Sequence, residues 1–181
     1  DLSRMDPPVV AQITERYQFL QSLIGKSQTP PGDLARAYGD MGNLLMAAEE
    51  TAAAEPYYLH AESFAPNEAR WPYLLGHVYM ASGDLPRATA AFERARRLKP
   101  EDVATLVWLG KLYLDGGQAD SAEPLFRQAL SEQPGLVAAL YGLGRAALAR
   151  RDYAHAIEYL EQVLAADPRA SAAHYQLALA Y

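Results

Sequence analysis

Near the start of the chain the apolar residues Val10, Ile13, Tyr17, Leu20 and Ile24 recur every three to four positions. That spacing predicts an amphipathic helix over about residues 9–25. The stretch Ser27 to Gly32 (SQTPPG) then breaks it, since proline lacks an amide donor and restrains the residue before it. Residues 1–8 are expected to be irregular.

Further on, the apolar pattern repeats with a step of 34 residues. Prolines fall at Pro66, Pro100, Pro134 and Pro168, and glycines at Gly42, Gly76, Gly110 and Gly144. Small residues form two more columns, Ala54, Ala88, Ala122 and Ala156, then Ala61, Ala95, Ala129 and Val163. Between these two lie the large residues Tyr58, Phe92, Phe126 and Leu160, while Met41, Leu75, Leu109 and Leu143 precede the glycines. Each period reads as helix, short turn, helix and a proline-ended loop. Gly83-Asp84 and Gly116-Gly117 mark two of the internal turns, and Glu49-Glu50 and Arg151-Asp152 occupy the same place in the other two. Glycine and alanine at fixed positions remove bulk where helices cross, and the large residue fills the space left.

These columns resemble the tetratricopeptide repeat. Its signature has a bulky residue at position 4, Leu at 7, Gly or Ala at 8, Tyr at 11, Ala at 20, an aromatic at 24, Ala at 27 and Pro at 32. The resemblance covers residues 35–68, 69–102, 103–136 and 137–170 as four repeats, with 171–181 as the first helix of a fifth. Departures are Leu45 and Ala147 at position 11 and Pro72 at position 4. The resemblance implies an all-α, right-handed solenoid of antiparallel helix pairs, with residues 1–34 supplying an N-terminal capping helix.

Composition narrows the function. With 22 acidic and 16 basic residues the net charge is -6, and no long basic run offers a footprint for nucleic acid. No run approaches the roughly 18 apolar residues of a membrane span. The absence of cysteine excludes disulfides and thiol chemistry, but both cytoplasmic and periplasmic proteins lack it, so the compartment stays open. The chain begins at Asp1 with no initiator methionine and no charged-then-apolar leader, so two expectations stand, a leader already removed or a segment excised from a longer protein. The overall expectation is a segment of a larger, bacterial protein. Its last residues place Leu177, Ala178 and Tyr181 at positions 7, 8 and 11 of a repeat that then stops. The expectation is that the natural chain continues, or that another molecule covers this face.

Chemistry by the segment itself is not expected. His60, His77, His155 and His174 fall at repeat positions 26, 9, 19 and 4, on different faces, so they form no metal site. There is no Gly-x-Ser-x-Gly nucleophile motif. Gly142-Leu143-Gly144 lacks the third glycine and the preceding strand of a dinucleotide loop. No catalytic residue and no cofactor are assigned.

A binding surface remains. In the repeat family, positions 2, 5, 6, 9, 12 and 13 of the first helices line a concave groove, on a side of the helix distinct from the packing positions. The predicted groove residues are Tyr73, Leu74, His77, Val107, Trp108, Lys111, Tyr141, Arg145 and Tyr175. They combine an aromatic row with a polar-to-basic row, running from Asn43 through His77 and Lys111 to Arg145. Such a surface suits a peptide with bulky side chains and an acidic residue or terminal carboxylate. The chaperone-binding members' carboxylate clamp is matched only by Asn43, and the asparagine ladder of O-linked N-acetylglucosamine transferases is absent. The sequence thus reads as a protein-interaction scaffold. The alternatives are a substrate-recruiting domain of an enzyme whose catalytic part lies elsewhere, and a self-assembly module using residues 171–181.

Overall fold

The structure, a computed structural model, describes residues 6–26 and 28–181. Among the described residues there are ten helices and no strand. They are α1 (Pro7–Ile24), α2 (Pro31–Ala47), α3 (Thr51–Phe64), α4 (Arg70–Ala81) and α5 (Leu85–Leu98). After Leu98 come α6 (Val103–Asp115), α7 (Ala119–Glu132), α8 (Val137–Ala149), α9 (Tyr153–Ala166) and α10 (Ser171–Ala180). The chain forms two compact units, one ending at Leu98 and the other beginning at Lys99. Within the first, α2 packs on α3 and α4 on α5. Within the second, α6 packs on α7 and α8 on α9, each pair a helical hairpin.

Two local expectations shift. Of the leading stretch expected to be irregular, residues 1–5 lie outside the described residues, but Pro7 and Pro8 open α1. Proline suits a first turn, where its fixed φ is already helical and the missing amide hydrogen had no intrahelical partner. Of the expected break, Ser27 lies outside the described residues, whereas Pro31 and Gly32 begin α2 for the same reason.

The repeated columns are the core. Ala54, Ala88, Ala122, Ala156, Ala61, Ala95, Ala129 and Val163 are buried, as are Met41, Leu75, Leu109 and Leu143. Each repeat glycine faces the large residue of its own hairpin. A methyl group on Gly42 would lie 2.7 Å from the Tyr58 ring, and one on Gly76 2.6 Å from Phe92. The corresponding distances are 2.8 Å for Gly110 to Phe126 and 2.8 Å for Gly144 to Leu160. Only glycine admits the large side chain at this distance.

The turns inside the hairpins repeat as closely as the core. Positive φ occurs at Glu49 (62°), Gly83 (76°), Gly117 (75°) and Arg151 (61°), positions again 34 residues apart. Glycine occupies this left-handed region without steric cost, whereas glutamate and arginine do not. Glu49→Gly and Arg151→Gly are each expected to stabilise their own unit by about 1 kcal/mol, read from urea denaturation of the single variants. No gain at either position would mean that the resident side chain offsets the strain through contacts of its own.

Candidate functional site

Within the second unit, α6 and α8 form the walls of a cleft of about 290 Å³. Val107, Trp108, Lys111 and Leu114 of α6 stand on one side, and Ala138, Tyr141, Gly142 and Arg145 of α8 on the other. Residues four apart lie on one helical face about 6 Å along the axis, so Val107 is followed by Lys111 and Tyr141 by Arg145. Each wall is therefore apolar first and cationic one turn further on. Phe126 of α7 is the floor.

That floor depends on two glycines. The Phe126 ring is only 2 % exposed and sits against Gly110 of its own hairpin and Gly142 of the next. A side chain at Gly142 would collide with the ring and fill the cleft. Phe126 is thus both a core residue and the base of the socket, a double role that its place in a packing column did not reveal.

The α6 wall is anchored at its start. Asp102 caps the helix, its carboxylate accepting hydrogen bonds from the Thr105 backbone nitrogen at 3.0 Å and the Thr105 hydroxyl at 2.7 Å. Burial pushes the Asp102 carboxyl up, but these bonds, with one from Lys99, prevail and hold it below its ordinary range.

The cations at the rim are not equivalent. Arg145 donates to Asp115, the last residue of α6, with Nη2 2.9 Å from Oδ1. Lys111 lies with Nζ 4.9 Å from the centre of the Trp108 ring, a cation–π contact. Among the described residues no carboxylate is within ion-pairing distance of Lys111. The rim carries Lys111, Arg145 and Asp115, for a net formal charge of about +1.

The first unit uses the equivalent positions differently. Tyr73 and His77 of α4 pack edge-on to each other at 4.7 Å, and to the Phe92 ring at 5.6 Å and 5.3 Å. Burial lowers the His77 pKa below its ordinary value, so at neutral pH the imidazole is uncharged. Leu74 is half-buried beside them. Asn43, at the start of the predicted basic row, accepts the Tyr58 hydroxyl at 2.8 Å, and burial pushes that phenol up to about 12. The polar-to-basic row is thereby reduced to its second-unit members, one of them already paired.

Tyr175 of α10 is 65 % exposed and does not line the socket. A neighbouring cleft between α8, α9 and α10 is lined by Gln176 and Leu179 instead, with Arg145 and Tyr153. Of the nine predicted groove residues, the structure thus brings five together: Val107, Trp108, Lys111, Tyr141 and Arg145. Asp115 stands at position 13 of its repeat, a groove position, but its lack of a counterpart elsewhere in the chain hid its pairing. Among the described residues no group of three histidine or acidic side chains is placed to hold a metal ion. No described helix is long and apolar enough to cross a membrane.

Helical hairpins with glycine opposite a large side chain at a fixed period define a tetratricopeptide repeat protein, and the general model of that repeat matches residues 35–68. More particularly, the chain belongs to the family of the cytochrome c-type biogenesis protein H TPR domain, whose model matches residues 59–173. No curated protein matches the sequence. Among solved structures, YrrB, described as a TPR protein with an unusual peptide-binding site, has a TM-score of 0.74 at 24% identity, over 81% of this chain and 76% of its own. MamA residues 41 to the end, from Desulfovibrio magneticus RS-1, has a TM-score of 0.78 at 22% identity, over 82% and 84%. A tetratricopeptide repeat protein from Parabacteroides merdae ATCC 43184 gives 0.75 at 18% identity, over 96% and 72%. These likenesses establish the fold. Proteins of this repeat class are generally interaction scaffolds that bind proteins or peptides.

Proposed function

We propose that this chain is a protein-interaction module that holds a polypeptide segment in the socket between α6 and α8. A bulky apolar side chain of the partner packs on Phe126 between Trp108 and Tyr141, and a carboxylate beside it lies at the Lys111 and Arg145 rim. The carrying observation is the socket itself, an apolar hollow with two cationic side chains one helical turn from its walls. Its volume, about 290 Å³, suits one large side chain rather than a whole cofactor. The mechanism is presentation of a preformed surface, without covalent chemistry. The family's description supports a setting in cytochrome c-type biogenesis, with a polypeptide handled by that process as the partner.

Both cations are tested together. Lys111→Glu with Arg145→Glu is expected to weaken the strongest binder from a peptide array by at least about tenfold, because two attractions become repulsions. Melting should move by only a few degrees, since the sole ion pair lost is a partly exposed one. Unchanged affinity in a correctly folded double variant removes the rim from the site.

A further inference from the structure

The proposed binding reading treats the rim as a reader of carboxylates, and the following rests on that reading. Arg145 already has a carboxylate of its own. Asp115 closes α6 directly across from it, both side chains being partly exposed, at 29% for Arg145 and 37% for Asp115. The pair can therefore open toward solvent without crossing a packed layer. Lys111 stands differently, drawn over the Trp108 ring at 4.9 Å, with its charge not offset by a carboxylate among the described residues.

We infer that Asp115 is a specificity-determining residue that competes internally for Arg145 and limits the socket to partners carrying a single negative charge beside the bulky side chain. The occupant is a peptide segment in which an aromatic residue is followed by one acidic side chain. Charge complementarity selects it: with Asp115 present the rim carries a net charge of about +1, and Lys111 makes the first contact. A segment with two adjacent acidic residues gains little, because its second carboxylate must displace Asp115 from Arg145. Removing the Asp115 charge would raise the rim to about +2 and release Arg145 to bind.

Three capped peptides isolate the charge: acetyl-Ala-Trp-Asn-Ala-amide, the same peptide with Asp for Asn, and one with Asp-Asp for Asn-Ala. Affinities for the wild-type chain and for Asp115→Asn are measured by amide chemical-shift titration at low salt and again at 0.5 M salt, roughly where the screening length falls to a few ångströms. The wild type should bind the single-Asp peptide about threefold more tightly than the Asn peptide, with little further gain for the Asp-Asp peptide. Asp115→Asn should strengthen the Asp-Asp peptide about fivefold relative to the Asn peptide at low salt, a gain that high salt removes. If Asp115→Asn changes all three affinities equally or not at all, Asp115 is no competitor, while the socket reading stands. If the Asn peptide gives no shifts at Trp108, Tyr141 or Gly142 and the acidic peptides give none either, the socket reading fails and this inference with it. Shifts confined to the acidic peptides and insensitive to Asp115→Asn also overturn it, assigning the charge selection to Lys111 alone.

Discussion

Phe126→Ala is expected to destabilise the unit beginning at Lys99 by about 3–5 kcal/mol and to abolish peptide binding at the socket. The ring is almost wholly buried, and the backbones of Gly110 and Gly142 flank it, so neighbouring side chains cannot collapse into the space. Helix axes would have to move instead, and partial relaxation is what places a truncation at the costly end of its range. Urea denaturation gives the stability, and titration with the aromatic peptides gives the binding. Phe126→Leu separates the two effects. It keeps most of the apolar volume and should retain folding at a smaller cost, while withdrawing the flat floor on which an aromatic side chain would rest. A loss below about 1 kcal/mol for Phe126→Ala would contradict the packing described here.

In the other unit the corresponding result concerns Trp71. Trp71→Ala is expected to cost about 3–5 kcal/mol. The indole is 2 % exposed and occupies the space that Gly39 leaves by having no side chain. The Arg70 guanidinium lies 3.9 Å from its ring centre. The indole Nε1 is buried without a hydrogen-bond partner, which already lowers the net value of tryptophan here. Trp71→Phe discards that unpaired donor along with part of the volume, so its loss should be clearly smaller than that of alanine. Gly39→Leu provides the reciprocal check: it inserts bulk against the same ring and should cost about 1–3 kcal/mol by overpacking. A Trp71→Ala variant that melts like the wild type would show that the indole is not a core element.

The fold could be read from the sequence because packing is what every repeat has in common. A column such as Gly42, Gly76, Gly110 and Gly144 is visible since each member meets the same demand, close approach of a large side chain from the paired helix. The site was only half visible, because it is made from what the repeats do not share. Lys111 and Arg145 stand at equivalent positions, yet one lies over an indole and the other is paired with an aspartate that has no counterpart elsewhere. His77 is equivalent to both, yet its partial burial beside two aromatic rings lowers its pKa below the ordinary value and disfavours the charged form. Periodicity identified the face on which these side chains sit. It could not report their protonation or partners, which depend on contacts between helices that spacing alone does not specify. Trp71 and Val78 show the same limit from the other side: both are buried although the columns read from the sequence included neither.

The two glycines around Phe126 also bear on how the second unit unfolds. In a linear array of repeats, stability divides into a term within each repeat and a coupling term between neighbours. Most rings here serve one of these, as Phe92 does against Gly76 of its own hairpin. Phe126 serves both, touching Gly110 within its hairpin and Gly142 in the next. One aromatic ring therefore sets how firmly α6 and α7 close and how tightly their melting is tied to that of α8. Weakening it would lower the melting point and also broaden the transition, with the two hairpins opening out of step.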